Sequence, residues 1–200
     1  GCTSTDVAVV DQNTAVPEVN IAPPAPLSCA QPLLTIIGQN SAPAGNYAYE
    51  WTASNGGHIF SGENTRMLCV DVAGTCTLHV TNLDNGCTAT YATAVTDDFQ
   101  APDVDLTAPG TLNCNAPSVN LINNSATNPD QLDHQWTLPD GSEVNTGSVP
   151  SLGATHPGIS SLLLSNTQNG CTATASVTVI GHEAVTADLA AQQNNNCFGA

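Results

Sequence analysis

The chain has 200 residues, of which 17 are Asp or Glu and a single one, Arg66, is Lys or Arg, giving a net charge of −16. This balance excludes a protein that grips phosphate backbones, which needs clustered Lys and Arg, and equally one drawn by charge to an anionic membrane surface. No stretch approaches the ~20 apolar residues of a membrane-spanning helix, and no charged segment leading into an apolar core marks an export signal, which is therefore expected outside this segment.

In chain order, Gly1-Cys2-Thr3 opens a pattern that returns as Gly86-Cys87-Thr88-Ala89-Thr90 and again as Gly170-Cys171-Thr172-Ala173-Thr174. A second cysteine series, Cys29, Cys114 and Cys197, keeps nearly the same step, and so do Trp51 and Trp136. Three markers sharing one period of about 85 residues predict an array of copies of one small domain. Residues 1–16 read as the last strand of a preceding repeat plus a linker, 17–97 and 98–181 as two repeats, and 182–200 as the first strand of a following one.

Within each repeat the signal is strand. Tyr47-Ala48-Tyr49-Glu50-Trp51 alternates with its aromatics on one face, and Leu132-Asp133-His134-Gln135-Trp136 follows the same pattern. Cys76 to Thr81, Ala89 to Val95 and Ala173 to Val179 alternate with period two and are rich in Thr, Val and Ala. Such runs predict half-buried β-strands. Asn55-Gly56-Gly57, Asn85-Gly86, Pro139-Asp140-Gly141 and Asn169-Gly170 supply turns between them. No helical stripe interrupts the pattern. The expected fold is all-β, with two-sheet antiparallel sandwiches in a linear array.

The motifs Leu27-Ser28-Cys29, Tyr49-Glu50-Trp51, Gly56 to Gly62, Gly74 to Asn82 and Asn85 to Thr90 resemble the Ig-like and PKD-like repeats of giant Bacteroidota cell-surface adhesins. The second repeat carries the same marks at Leu112 to Cys114, Trp136, Gly158 to Asn166 and Asn169 to Thr174, departing at His134, where the first has Tyr49. The resemblance implies tandem Ig-like domains in secreted stalks, adhesins or extracellular filaments, outside the cell or on its surface.

Eight cysteines in a repeating pattern fit an oxidising compartment and a disulfide framework, and the absence of any Cys-x-x-Cys pair argues against zinc. One cysteine near the start and one near the end of each repeat point to Cys29–Cys87 and Cys114–Cys171, with free buried thiols as the alternative. A cross-link closing about 59 residues contributes on the order of 4 kcal/mol in the chain-entropy description. Cys69 and Cys76 flank a strand-turn-strand stretch and form a plausible local pair. Cys2 and Cys197 lack partners within their own repeats, so each points to a bond with a neighbouring repeat of a longer chain or, head to tail, with another chain.

Chemistry has little foothold. His58, His79, His134, His156 and His182 recur at no equivalent positions, and no nucleophile elbow, His-Glu-x-x-His or phosphate loop is present. The reading is therefore not an enzyme, with no cofactor required. Asp97, Asp98, Asp103 and Asp105 crowd one repeat boundary and offer hard oxygens to Ca²⁺, against the plainer reading of a solvated acidic linker. Asn123-Asn124-Ser125 spells a glycosylation acceptor. The function expected is structural and adhesive. Its partners are neighbouring repeats, copies of the chain in a fibre, and a cell-surface or glycan target. A carbohydrate-binding sandwich is the alternative.

Overall fold

The computed structural model describes residues 1–40, 46–107 and 109–182. Two compact units are present, one formed by residues 1–27 and 31–98, the other by 28–30 together with the chain from Phe99 onward. The chain thus leaves the first unit at Ser28 and re-enters it at Gln31.

The first unit contains β1 (Val19–Ile21), β2 (Leu27–Ser28), β3 (Leu34–Asn40), β4 (Tyr47–Ser54), β5 (His58–Ser61), β6 (Met67–Val72), β7 (Gly74–Asn82), β8 (Thr88–Val95) and β9 (Asp97–Asp98). One sheet has the order β1-β3-β6-β5 and the other β4-β7-β8, while β2 pairs with β9. The alternation seen in the sequence becomes alternation in burial. On β7, Cys76, Leu78, Val80 and Asn82 face inward and the residues between them outward. Leu34 and Ile36 of β3 and Leu68 and Val70 of β6 meet them from the other sheet, around a buried Trp51. Burying each large apolar side chain contributes roughly 1.5–3 kcal/mol. Four strands against three, with the tryptophan on the first strand of the three-stranded sheet, is the constant-type immunoglobulin arrangement.

The second unit contains β10 (Leu106–Thr107), β11 (Val119–Asn123), a short 3-10 turn at Pro129–Gln131, β12 (Leu132–Thr137), β13 (Glu143–Gly147), β14 (Ser151–Ala154), β15 (Gly158–Asn166) and β16 (Thr172–Val179). Its sheets run β10-β11-β14 and β13-β12-β15-β16. Leu121, Leu132, Trp136, Leu162, Leu164 and Val179 form the core. It is the same sandwich with one strand moved: β5 joins β6 in the first unit, whereas β13 joins β12 in the second. In the second unit a tight turn returns β13 onto β12, with Leu138 N–H donating to Ser142 O (2.8 Å) and Gly141 N–H to Leu138 O (2.9 Å). In the first unit Gly57 N–H donates to Ser54 O (3.1 Å) in the turn before β5, and after β5 Thr65 N–H donates to Gly62 O (3.0 Å) and the Thr65 hydroxyl to Met67 O (2.7 Å).

The stretch from Cys69 to Cys76 departs from the expected hairpin. β6 and β7 belong to different sheets, so residues 72–74 form a corner between layers. Val70 and Cys76 point into the core from opposite sheets, and Cys69 lies on the other face of β6 from Val70. The local Cys69–Cys76 bridge does not form, and both thiols are free.

Candidate functional site: a repeated asparagine-glycine-cysteine turn

Both units carry the same turn before their last long strand, between β7 and β8 in the first and between β15 and β16 in the second, built by the same hydrogen bonds. In the first, Asn82 N–H donates to Cys87 O (2.8 Å) and Gly86 N–H to Asn82 O (2.7 Å). The side chains of Asn82 and Asn85 accept from the backbone N–H groups of Asp84 and Cys87, both at 2.9 Å. In the second, Asn166 N–H donates to Cys171 O and Gly170 N–H to Asn166 O, both at 2.8 Å. Asn166 and Asn169 accept from Gln168 and Cys171 N–H, both at 2.9 Å. Gly86 and Gly170 both have φ of 73°, the left-handed region where a side chain is disfavoured. The outer amide of each turn also reaches the segment entering its own unit. Asn85 Nδ2 donates to Ala15 O (2.9 Å) and Asn169 Nδ2 to Gln100 O (3.0 Å), and these acceptors are themselves one period apart.

The cysteines that close the two turns differ in state. Cys171 is buried and bonded to Cys29, across 142 residues of sequence. Ala30 N–H donates to Asn169 O (2.9 Å), which places Cys29 beside Cys171, with Cα atoms 5.0 Å apart. Space at Gly170 is filled by this tripeptide: a Cβ there would lie 2.6 Å from the Ala30 Cβ. At Gly86 the corresponding space is open, with nothing within 4 Å, and Cys87 is a half-buried free thiol.

The expected pairs Cys29–Cys87 and Cys114–Cys171 are therefore corrected. The hydrogen bond from Ala30 to Asn169 docks 28–30 in the second unit, and Cys29 goes with it. Cys114 is disulfide-bonded as well, but not to Cys171. Cys2 is exposed and free, in a segment, 1–16, that forms no strand here. Cys197 and the 183–200 part of the proposed following strand lie outside the described residues. Burial pushes the Cys76 thiol above its usual range, which keeps it protonated and unreactive.

The four boundary aspartates divide between the units, Asp97 and Asp98 on β9 of the first, Asp103 and Asp105 in the second. Among the described residues no three His, Cys, Asp or Glu side chains assemble into a group that could hold a metal ion. His58 lies on β5, its Nδ1 2.6 Å from Asp71 Oδ1 and its ring largely exposed. His156 Nδ1 lies 3.0 Å from the Thr155 hydroxyl. His134 is fully buried. Its Nδ1–H donates to Gly147 O (2.8 Å) and its Nε2 accepts from Asn123 Nδ2 (3.2 Å). The Asn123 amide is itself oriented by accepting from Asp105 N–H (3.1 Å). The asparagine that spells a glycosylation acceptor is thus 4% exposed and committed to the core. Spacing gave no hint of this His134–Asn123 pair; its one signal is the substitution of Tyr49 by His134 at a core-facing position. Arg66 donates from Nε to Gly38 O (3.1 Å) and so serves β3. The Asp140 carboxyl is held below its ordinary value because the Ser142 hydroxyl and backbone N–H donate to it in the β12–β13 turn.

No model of a known protein family matches the chain, and no curated protein matches it. Among solved structures it is similar to three N-terminal domains of the bacteriophage RB49 highly immunogenic outer capsid protein, at 15% identity and a TM-score of 0.47, covering 83% of this chain and 59% of that one. It is also similar to extracellular domains 3–5 of Drosophila OTK, at 11% identity and a TM-score of 0.40, covering 82% of this chain and 62% of that one. A third is the amphioxus IgVJ-C2 molecule, at 15% identity and a TM-score of 0.31, covering 70% and 92%. The chain spans about three fifths of the first two structures. By its own sheet order and core the chain is a pair of Ig-like β-sandwiches. Among the described residues no helix is long and apolar enough to cross a membrane.

Proposed function

We propose that this chain is a segment of an extracellular stalk or filament, made of tandem Ig-like domains on a bacterial surface protein, with a structural and adhesive role. The observation that carries the reading is the doubled sandwich with its doubled turn. Two units repeat the same fold, the same turn hydrogen bonds and the same linker contact at one period, as an array selected for length would. Residues 1–16, which form no strand here, are read as the last strand of a preceding repeat plus a linker, since Cys2 to Val10 matches the sequence that forms β8 and β16. Seventeen acids against one basic residue keep neighbouring arrays apart in solution. Both tryptophans are core residues and leave no indole platform for a sugar ring, which disfavours the carbohydrate-binding alternative. Antibody raised against residues 46–107 should label intact source cells and decorate structures projecting from them. Labelling that appears only after lysis overturns the proposal.

A further inference from the structure

The two turns are chemically equivalent, yet one holds a cysteine-bearing tripeptide and the other is empty. We propose that Cys87 is the acceptor for the Leu-x-Cys-Ala segment of another repeat of this type, as Cys171 is for Leu27-Ser28-Cys29-Ala30. The inference rests on the tandem-repeat reading and adds a binding site to it. Four observations carry it. The carbonyl that receives Ala30 N–H at Asn169 has its counterpart at Asn85, within a turn of identical hydrogen bonding. The left-handed glycine against which Ala30 packs has its counterpart in Gly86, where the same space is vacant. The linker carbonyl held by Asn169 Nδ2 has its counterpart in Ala15, held by Asn85 Nδ2. The cysteine is free and half-buried, beside a cradle that in the second unit is filled.

Cys29 precedes Cys171 by one period more than the distance between the two cysteines of a single repeat. The donor for Cys87 therefore comes from a repeat other than that of residues 17–97. On bonding, Cys87 and the donor cysteine each lose a proton, one sulfur–sulfur bond forms, and two electrons pass to a disulfide-carrying thiol oxidant, which leaves as its dithiol.

A synthetic peptide spanning residues 24–32 is the probe. The 200-residue chain, carrying Cys2→Ala, is equilibrated with the peptide in a glutathione redox buffer, and occupancy of Cys87 is read by mass spectrometry. Cys87 should take this peptide over a scrambled peptide of the same composition by roughly fivefold or more, the worth of one net backbone hydrogen bond. The preference should vanish for a peptide carrying Ala30→Pro, which lacks the backbone N–H that the Asn85 carbonyl would receive. This variant leaves the folding of the protein untouched. Equal occupancy by the native and scrambled peptides overturns the proposal. In native material, Cys87 should be recovered joined to a Leu-x-Cys peptide. If reduction leaves the chain mass unchanged the donor is in the same chain, and if a ladder of masses collapses the donor is a second copy. Cys87 recovered as a thiol overturns the proposal while leaving the cell-surface labelling expected of a stalk intact.

Discussion

Pulling the chain by its ends tests the Cys29–Cys171 bond directly. Force entering at the amino terminus reaches Cys29, crosses the sulfur–sulfur bond to Cys171 and leaves along β16, so the chain between them, a sequence separation of 142, bears no load. Only β1, β2 and β16 can be peeled. At 3.3–3.6 Å per extended residue, the shielded chain amounts to about 470–510 Å of hidden length. A Cys114→Ala background removes the other bridge, so that this one acts alone. In single-molecule force spectroscopy the oxidised protein should give a short trace without sandwich unfolding between the two cysteines, and a reductant should lengthen it by the full hidden amount. A bridge of Cys29 to Cys87 would instead hide about 190–210 Å. A release of that smaller size on reduction, or its appearance in the oxidised trace when Cys87→Ala is added, would refute the pairing and the docking of 28–30 on which it rests. The same loop, closed in the unfolded chain, contributes about 5 kcal/mol by the chain-entropy description, against about 4 for each shorter loop.

Three further outcomes follow from the cores. Ser160 has a buried hydroxyl without a hydrogen-bond partner, at the place where the first unit has Cys76; Ser160→Cys should leave the stability of the second unit unchanged or raise it by about 1 kcal/mol in urea melts, and a comparable loss would show the hydroxyl to be satisfied. Asn123→Ala strands His134 Nε2 and Asp105 N–H together, so a loss of about 2 kcal/mol or more is expected by the same assay, and a neutral result would remove the pair from the account. Burial raises the Cys76 thiol, so the folded state holds that proton more tightly than the unfolded chain does. This contribution is complete below the ordinary thiol range and is lost as pH climbs through the raised value. Between pH 8 and 10 the wild type should therefore lose stability more steeply than Cys76→Ala, and parallel curves would show that the thiol does not matter.

Most of the fold was legible because period-two alternation converts directly into burial. Tyr49, Trp51, Leu78 and Val80 were readable as one face, and they are one face. The turns were readable for a related reason: Asn-Gly before Cys places a left-handed residue where the backbone must reverse, and Gly86 and Gly170 take the same φ. What alternation lacks is information on which strand pairs with which. The runs flanking residues 72–74 carry inward-facing residues that suit a hairpin or a corner between sheets equally well, and the choice falls to the partners offered by β3, β5, β4 and β8. The same limit moved β13 away from the place held by β5.

The cysteines show how a repeat can mislead. Spacing within one copy made Cys29 and Cys87 look like the two ends of one staple, because both recur at the same period. A period, however, is indifferent to which copy supplies each partner: a bond from Cys29 to the cysteine of its own turn and a bond to the equivalent cysteine one period later leave the same marks in the sequence. The decision is made by three residues that carry no motif beyond the cysteine itself. Ala30 is small enough to pack on a glycine that has no side chain, and its N–H meets the carbonyl of Asn169. Through the chain, this choice also changes the mechanics. A bridge within each copy would let every sandwich yield separately up to its own staple, whereas the Cys29–Cys171 bridge withholds from load every strand of either copy that lies between the two cysteines until that bond is reduced.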